Sequence, residues 1–124
     1  MPKTYQVKDA INMRKIIYLA SPHTHTDKAV LDARCIAAQK ATARLMLEGN
    51  AVFSPIAHSH GVADHMPDAV RCDGDFWMEQ DLPLLAKCDE MIVLRLDGWR
   101  ESSGVRQELA FAAENGIPVS FVDE

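Results

Sequence analysis

The sequence predicts a three-layer α/β domain, a parallel sheet of four to five strands with helices on both faces. Short β-branched apolar runs alternate with longer stretches of helical spacing along the chain. Those runs are apolar at consecutive positions, as expected for strands covered on both sides. Their order, strand and helix alternating to a fourth strand, is that of right-handed crossovers in a parallel sheet. The 124 residues fit one domain.

Lys15 to Ala20 (KIIYLA) reads as a central strand that ends in a turn at Ser21 and Pro22. Asp27 is placed to cap a helix running to about Glu48. Ala33, Ala37, Ala38 and Ala41 would form its small-residue face beside Leu45, and Gly49 and Asn50 stop it. Ala51 to Ser54 is a second short strand, from which Pro55 turns the chain away. Residues 56–74 lack clear periodicity and predict a long functional loop, with room for one short helix.

Helical spacing resumes from Phe76 to Lys87, with Trp77, Leu84 and Leu85 apolar. Pro83 belongs in a first turn or at a kink, so Asp81 is expected to cap a restarted helix. Glu90 to Leu96 is a third strand, closed by Asp97, Gly98 and Trp99. Ser102 to Asn115 forms the last helix before Gly116, and Pro118 to Val122 the last strand. Residues 1–14 read as a polar N-terminal leader, leaving 15–124 as the domain.

Composition narrows the function. A net charge of −5 argues against a broad nucleic-acid-binding face, which needs a basic surface. No stretch approaches the roughly 20 apolar residues of a membrane span. Three irregularly spaced cysteines make neither a disulfide framework nor a paired-thiolate zinc site, so a cytoplasmic setting is expected. Cys35 and Cys88, in helical contexts, are expected to be buried and inert. There is no Walker motif or glycine-rich dinucleotide fingerprint, and no cofactor is expected.

In a parallel sheet the ligand sits beyond the carboxyl ends of the strands, where strand order reverses. Three polar loops would meet there: Ser21 to Asp27, Pro55 to His65, and Asp97 to Gly104. The first turns of the following helices lie at the same edge, which brings Asp81 and Glu108 towards one pocket. Val105, Leu109 and Ala112 mark the sheet-facing stripe of the last helix, and Glu108 falls among them. From position alone it is equally a helix-start charge favoured by the dipole and an ionised nucleophile. Ser102, Ser103 and Gly104 just before it suit a phosphate or a sugar hydroxyl, and serine there is also an ordinary cap.

Asp81 beside Glu108 would have one carboxyl raised in pKa, able to protonate a leaving base. His23 and His25 follow one strand, and His58 and His60 the next. Four imidazoles on one divalent metal would make a metal-dependent hydrolase, a competing reading. Otherwise the four bind phosphate or sugar oxygens or face solvent. Trp99 and Arg100 either flank a ligand base or pack their loop.

Taken as an ordered set, IYLASPHTH, VFSPIAHSH and LPLLAKCDEMIVLRLDGWRESSGVRQELAFA resemble the nucleoside 2-deoxyribosyltransferase family, across about residues 15 to 122. They are similar in particular to a branch of small bacterial and phage domains. The last block also resembles the deoxynucleoside 5′-monophosphate N-glycosidases, through Ser103, Gly104, Val105 and Glu108.

The resemblance implies a flavodoxin- or Rossmann-like sheet and a retaining cleavage or transfer at an N-glycosidic bond. In it Glu108 attacks the anomeric carbon, Asp81 assists the leaving base, and Tyr18 orients the nucleophile or sugar. His58 or His60 would line the pocket, and a homodimer would complete it. The first loop departs from the monophosphate hydrolases: it reads SPHTHTD where they carry a glycine-rich, arginine-containing segment. Ser21, His23, Thr24 and His25 stand in its place, which leaves the choice between nucleoside and nucleotide open. A non-catalytic nucleotide-binding module is the principal alternative, since the fold alone does not fix function.

Overall fold

The computed structural model describes residues 14–124. Apart from Arg14, the expected leader lies outside the described residues. Strand β1 (Ile16–Ala20) is followed by helix α1 (Lys28–Leu47), strand β2 (Ala51–Phe53) and helix α2 (Pro55–Val62). A 3-10 turn (Ala63–His65), the short helix α3 (Asp68–Arg71) and helix α4 (Gly74–Leu85) lead to strand β3 (Glu90–Leu94). Helix α5 (Ser103–Glu114) and strand β4 (Val119–Val122) close the chain.

All strand pairings are parallel, and the order is β2-β1-β3-β4. β1 is central: the chain leaves it to one side for β2 and returns to its other side for β3. The order therefore reverses between β1 and β3, which opens a crevice at their carboxyl ends. This is the expected flavodoxin-like arrangement, with four strands among the described residues.

Alternation along the strands splits the core in two. Ile17, Leu19, Ile92 and Leu94 face one way and pack with Ala37, Ala41 and Leu45 of α1. Tyr18, Ala20, Met91 and Val93 face the other way, against Leu85 of α4 and Val105 and Ala112 of α5. α1 thus covers one face of the sheet, and α4 and α5 the other. Cys35, not Ala33, joins the buried stripe of α1, Ala33 being exposed. Among the described residues, no helix is long and apolar enough to cross a membrane.

Two segments differ from expectation. The loop expected after β2 is mostly helical. Ser54 caps α2, its hydroxyl accepting from the Ala57 amide at 3.1 Å, and Pro55 occupies the first turn. Proline starts a helix well because its missing N–H has no intrahelical partner there and its φ is already helical.

Asp81 is not a cap. α4 begins seven residues earlier in sequence, at Gly74, where Asp73 accepts from the amides of Asp75 (3.0 Å) and Phe76 (3.4 Å). The helix runs through Pro83 to Leu85, placing Asp81 one turn before Leu85 on the buried face.

Candidate functional site

A pocket of about 940 Å³ opens over the crevice. All three expected loops contribute to it: the first through Ser21 and 23–25, the second through Pro55, Ile56, Ser59 and Ala63, and the third through Asp97, Gly98 and 101–104. The α3–α4 segment adds Arg71, Cys72, Trp77, Met78 and Asp81. Glu108 enters from α5.

Glu108 is only 4 % exposed, on the same face of α5 as Val105 and Ala112. A carboxylate among core residues requires a partner, and the Tyr18 hydroxyl donates to Glu108 Oε2. Strand alternation makes the contact possible, because Tyr18 points to the face that carries α5.

Burial drives the Glu108 carboxyl from its usual range up to about 8; the Tyr18 hydrogen bond opposes that shift, and the nearby Asp81 charge adds to it. The helix dipole was expected to favour ionisation, but Glu108 sits in the second turn, and burial outweighs a dipole effect that fades beyond the first. Burial also holds the Tyr18 phenol protonated, with help from both carboxyls.

Asp81 is 8 % exposed and lines the same pocket. Burial raises its carboxyl to about 6, with the His58 ring pulling the other way. Two carboxyls shifted upward within one pocket are a signature of functional sites.

Ser102, Ser103 and Gly104 line the wall beside Glu108. Ser102 Oγ caps α5 by accepting from the Val105 amide at 3.3 Å, and Ser103 Oγ accepts from Gln107 Nε2 at 3.1 Å. Ser21 is buried at the end of β1, and its hydroxyl has no hydrogen-bond partner among the described residues. A pocket-lining hydroxyl left in that state gains by meeting a polar ligand.

The four histidines do not converge. His23 and His25 line the pocket, whereas His58 and His60 do not. His25 Nδ1 accepts from the Asp27 amide at 2.9 Å, and the exposed His58 packs on Phe53. His60 stands behind His23, its Nδ1 2.9 Å from His23 Nε2 and its Nε2 3.1 Å from Asp32 Oδ1. Among the described residues, no group of three or more His, Cys, Asp or Glu is arranged to hold a metal ion. Trp99 packs on Phe121 with Arg100 over its ring, so both serve their loop and neither lines the pocket.

Residues 15–124 match the family described as a domain of unknown function, DUF1937. The chain belongs to that family. No curated protein matches it.

Sequence reasoning missed Arg34 in the DUF1937 domain. Its guanidinium donates to the carbonyls of His23 (3.3 Å), Thr24 (3.1 Å) and Asp97 (2.9 Å), tying the loops after β1 and β3 together. Gly98 makes room for it: φ is +87°, and a Cβ there would lie 2.8 Å from Arg34 Nη2. The signal was present, since Arg34 lies two turns after the Asp27 cap on a helix that starts at the pocket edge. Trp77 of the DUF1937 domain, noted in the sequence only as an apolar helix position, lines the pocket, its indole N–H donating to the Arg71 carbonyl at 2.9 Å.

Proposed function

We propose that this protein cleaves or transfers the N-glycosidic bond of a nucleoside or nucleotide by a retaining mechanism. The observation that carries the reading is Glu108, buried at the pocket wall with the Tyr18 hydroxyl on its carboxylate and Asp81 lining the same pocket. The resemblance to the nucleoside 2-deoxyribosyltransferases supports it, since the same three residues match there.

In the first step a Glu108 oxygen bonds to the anomeric carbon while the carbon–nitrogen bond breaks. The base keeps the electron pair and takes a proton from Asp81. Positive charge building on the sugar ring favours the ionised form of Glu108 despite its burial. Tyr18 holds the attacking oxygen in place. In the second step water or another base gives a proton to the Asp81 carboxylate as it bonds to the anomeric carbon, and the bond to Glu108 breaks to release its carboxylate, giving a hydrolase or a transferase respectively. The reading includes a cytoplasmic homodimer that works without a cofactor.

The test is incubation with a panel of nucleosides and 5′-monophosphates, with chromatography for free base and with Glu108→Ala and Glu108→Gln as controls. Base release by the native protein, lost in both variants, is expected. If no member of the panel yields base, or Glu108→Ala remains as active as the parent, the glycosidase reading fails.

A further inference from the structure

Asp32, His60 and His23 form a hydrogen-bonded line that ends at the pocket. Asp32 lies half exposed on α1, and its pairing with Lys28 at 3.0 Å holds it below the usual carboxylate range. It is therefore an acceptor only, so His60 Nε2 must carry the proton in the 3.1 Å contact. With that as the ring's one proton, His60 Nδ1 is bare and accepts at 2.9 Å from His23 Nε2. That leaves His23 Nδ1 without a proton. It has no hydrogen-bond partner among the described residues, and its ring lines the pocket. Burial, with His60 and Arg34 nearby, lowers His23 to about 4, so the ring stays neutral near pH 7.

We propose that the Asp32–His60–His23 relay presents His23 Nδ1 to the ligand as an acceptor for a sugar hydroxyl, selecting a nucleoside with a free hydroxyl over its 5′-monophosphate. This specificity rests on the N-glycosidic reading of the same pocket.

The charge balance points the same way. Asp81, Asp97, Glu101 and Glu108 line the pocket against two guanidinium groups. Arg34 is committed to three carbonyls, and Arg71 is paired with Asp68 at 3.1 Å. A phosphate dianion would meet the bare nitrogen of His23, which cannot donate to it, and two guanidinium groups that already have partners. The amides at the start of α5 suit a hydroxyl oxygen as readily as a phosphate oxygen. A hydroxyl can donate to a bare ring nitrogen, which a phosphate dianion cannot.

Two measurements test this. Long-range proton–nitrogen correlation spectra of the imidazoles report the protonation of each ring nitrogen. His23 is expected with Nε2 protonated and Nδ1 bare; a proton on Nδ1 overturns the relay. Calorimetric titration with nucleosides and the matching 5′-monophosphates, run beside the base-release assay, reads the selectivity. Nucleosides are expected to bind at least about tenfold more tightly, and His23→Ala to weaken them about five- to tenfold while sparing the monophosphates.

Asp32→Asn, a half-exposed change that spares the core, puts an amide that both donates and accepts against His60, and should narrow the preference. Tighter binding of monophosphates, or no binding of either class, overturns the inference. A monophosphate preference with base released leaves the glycosidase reading standing. A nucleoside preference with no base released sustains the relay and removes that reading instead.

Discussion

Glu108 and Asp81 carry opposite demands in the proposed first step: one must be ionised and the other protonated. Their positions, about 8 and about 6, mean that the productive pair is most populated between those values. The plot of kcat/KM against pH should be a bell with a top between about pH 6 and 8, the two limbs belonging to the coupled pair. Asp81→Asn should lower the rate and remove the alkaline fall, leaving a single rise through about pH 8. Persistence of the alkaline limb would show that Asp81 is not the proton donor.

Stability gives an independent readout of the same group. Because folding raises the Glu108 pKa above its unfolded value, the folded state binds the extra proton. Its contribution is therefore full below the ordinary carboxyl range and is lost as pH rises through about 8. Glu108→Gln keeps an oxygen for Tyr18 and never ionises. Its melting temperature should gain on the parent as pH increases from 5 to 9, and a pH-independent difference would contradict the assignment. Tyr18→Phe leaves a buried carboxyl without its donor, so a loss of about 1–3 kcal/mol in denaturant melts is expected, with kcat falling more than KM rises.

At the scale of elements, the pocket depends on junctions. The hinge between the first and third loops is the Arg34 guanidinium resting on the glycine at 98. Gly98→Ala combines a left-handed backbone with a 2.8 Å clash, and a destabilisation of more than about 1 kcal/mol is expected, measured by urea unfolding. It should also weaken ligand binding, because the loop carbonyls lose their shared donor. The α5 cap is a milder junction. Ser102→Ala should cost about 1 kcal/mol in the same measurement and leave the position of Glu108, a turn further on, largely intact.

For the molecule as a whole, the alternation of strands and helices was legible in the sequence because buried parallel strands such as IIYLA and MIVL announce themselves by continuous apolarity, whereas the order β2-β1-β3-β4 is set by pairings that no local pattern reports. The capping of α1 by Asp27 and the burial of Glu108 followed from local pattern as well. The region after β2 was not legible by periodicity, since a short helix carrying three polar residues, His58, Ser59 and His60, has no clean stripe; the Ser54–Pro55 start was the better signal. Asp81 was misplaced because Pro83 was weighed as a helix breaker, whereas the structure accommodates it within α4. The contact of His23 with His60 joins the loop after β1 to α2 across 37 positions of sequence, which no spacing rule reports. Arg34 was overlooked because attention went to loops, and its role comes from a helix.

The two-sided alternation of β1 and β3 has one more consequence. Ile17, Leu19, Ile92 and Leu94, with Leu45, make a reservoir of packing that no pocket residue shares. Volume-conserving changes confined to that side can harden or soften the scaffold without reshaping the cavity. The protein is in that sense divided like a tool, with a handle that can be recast and a working edge that cannot.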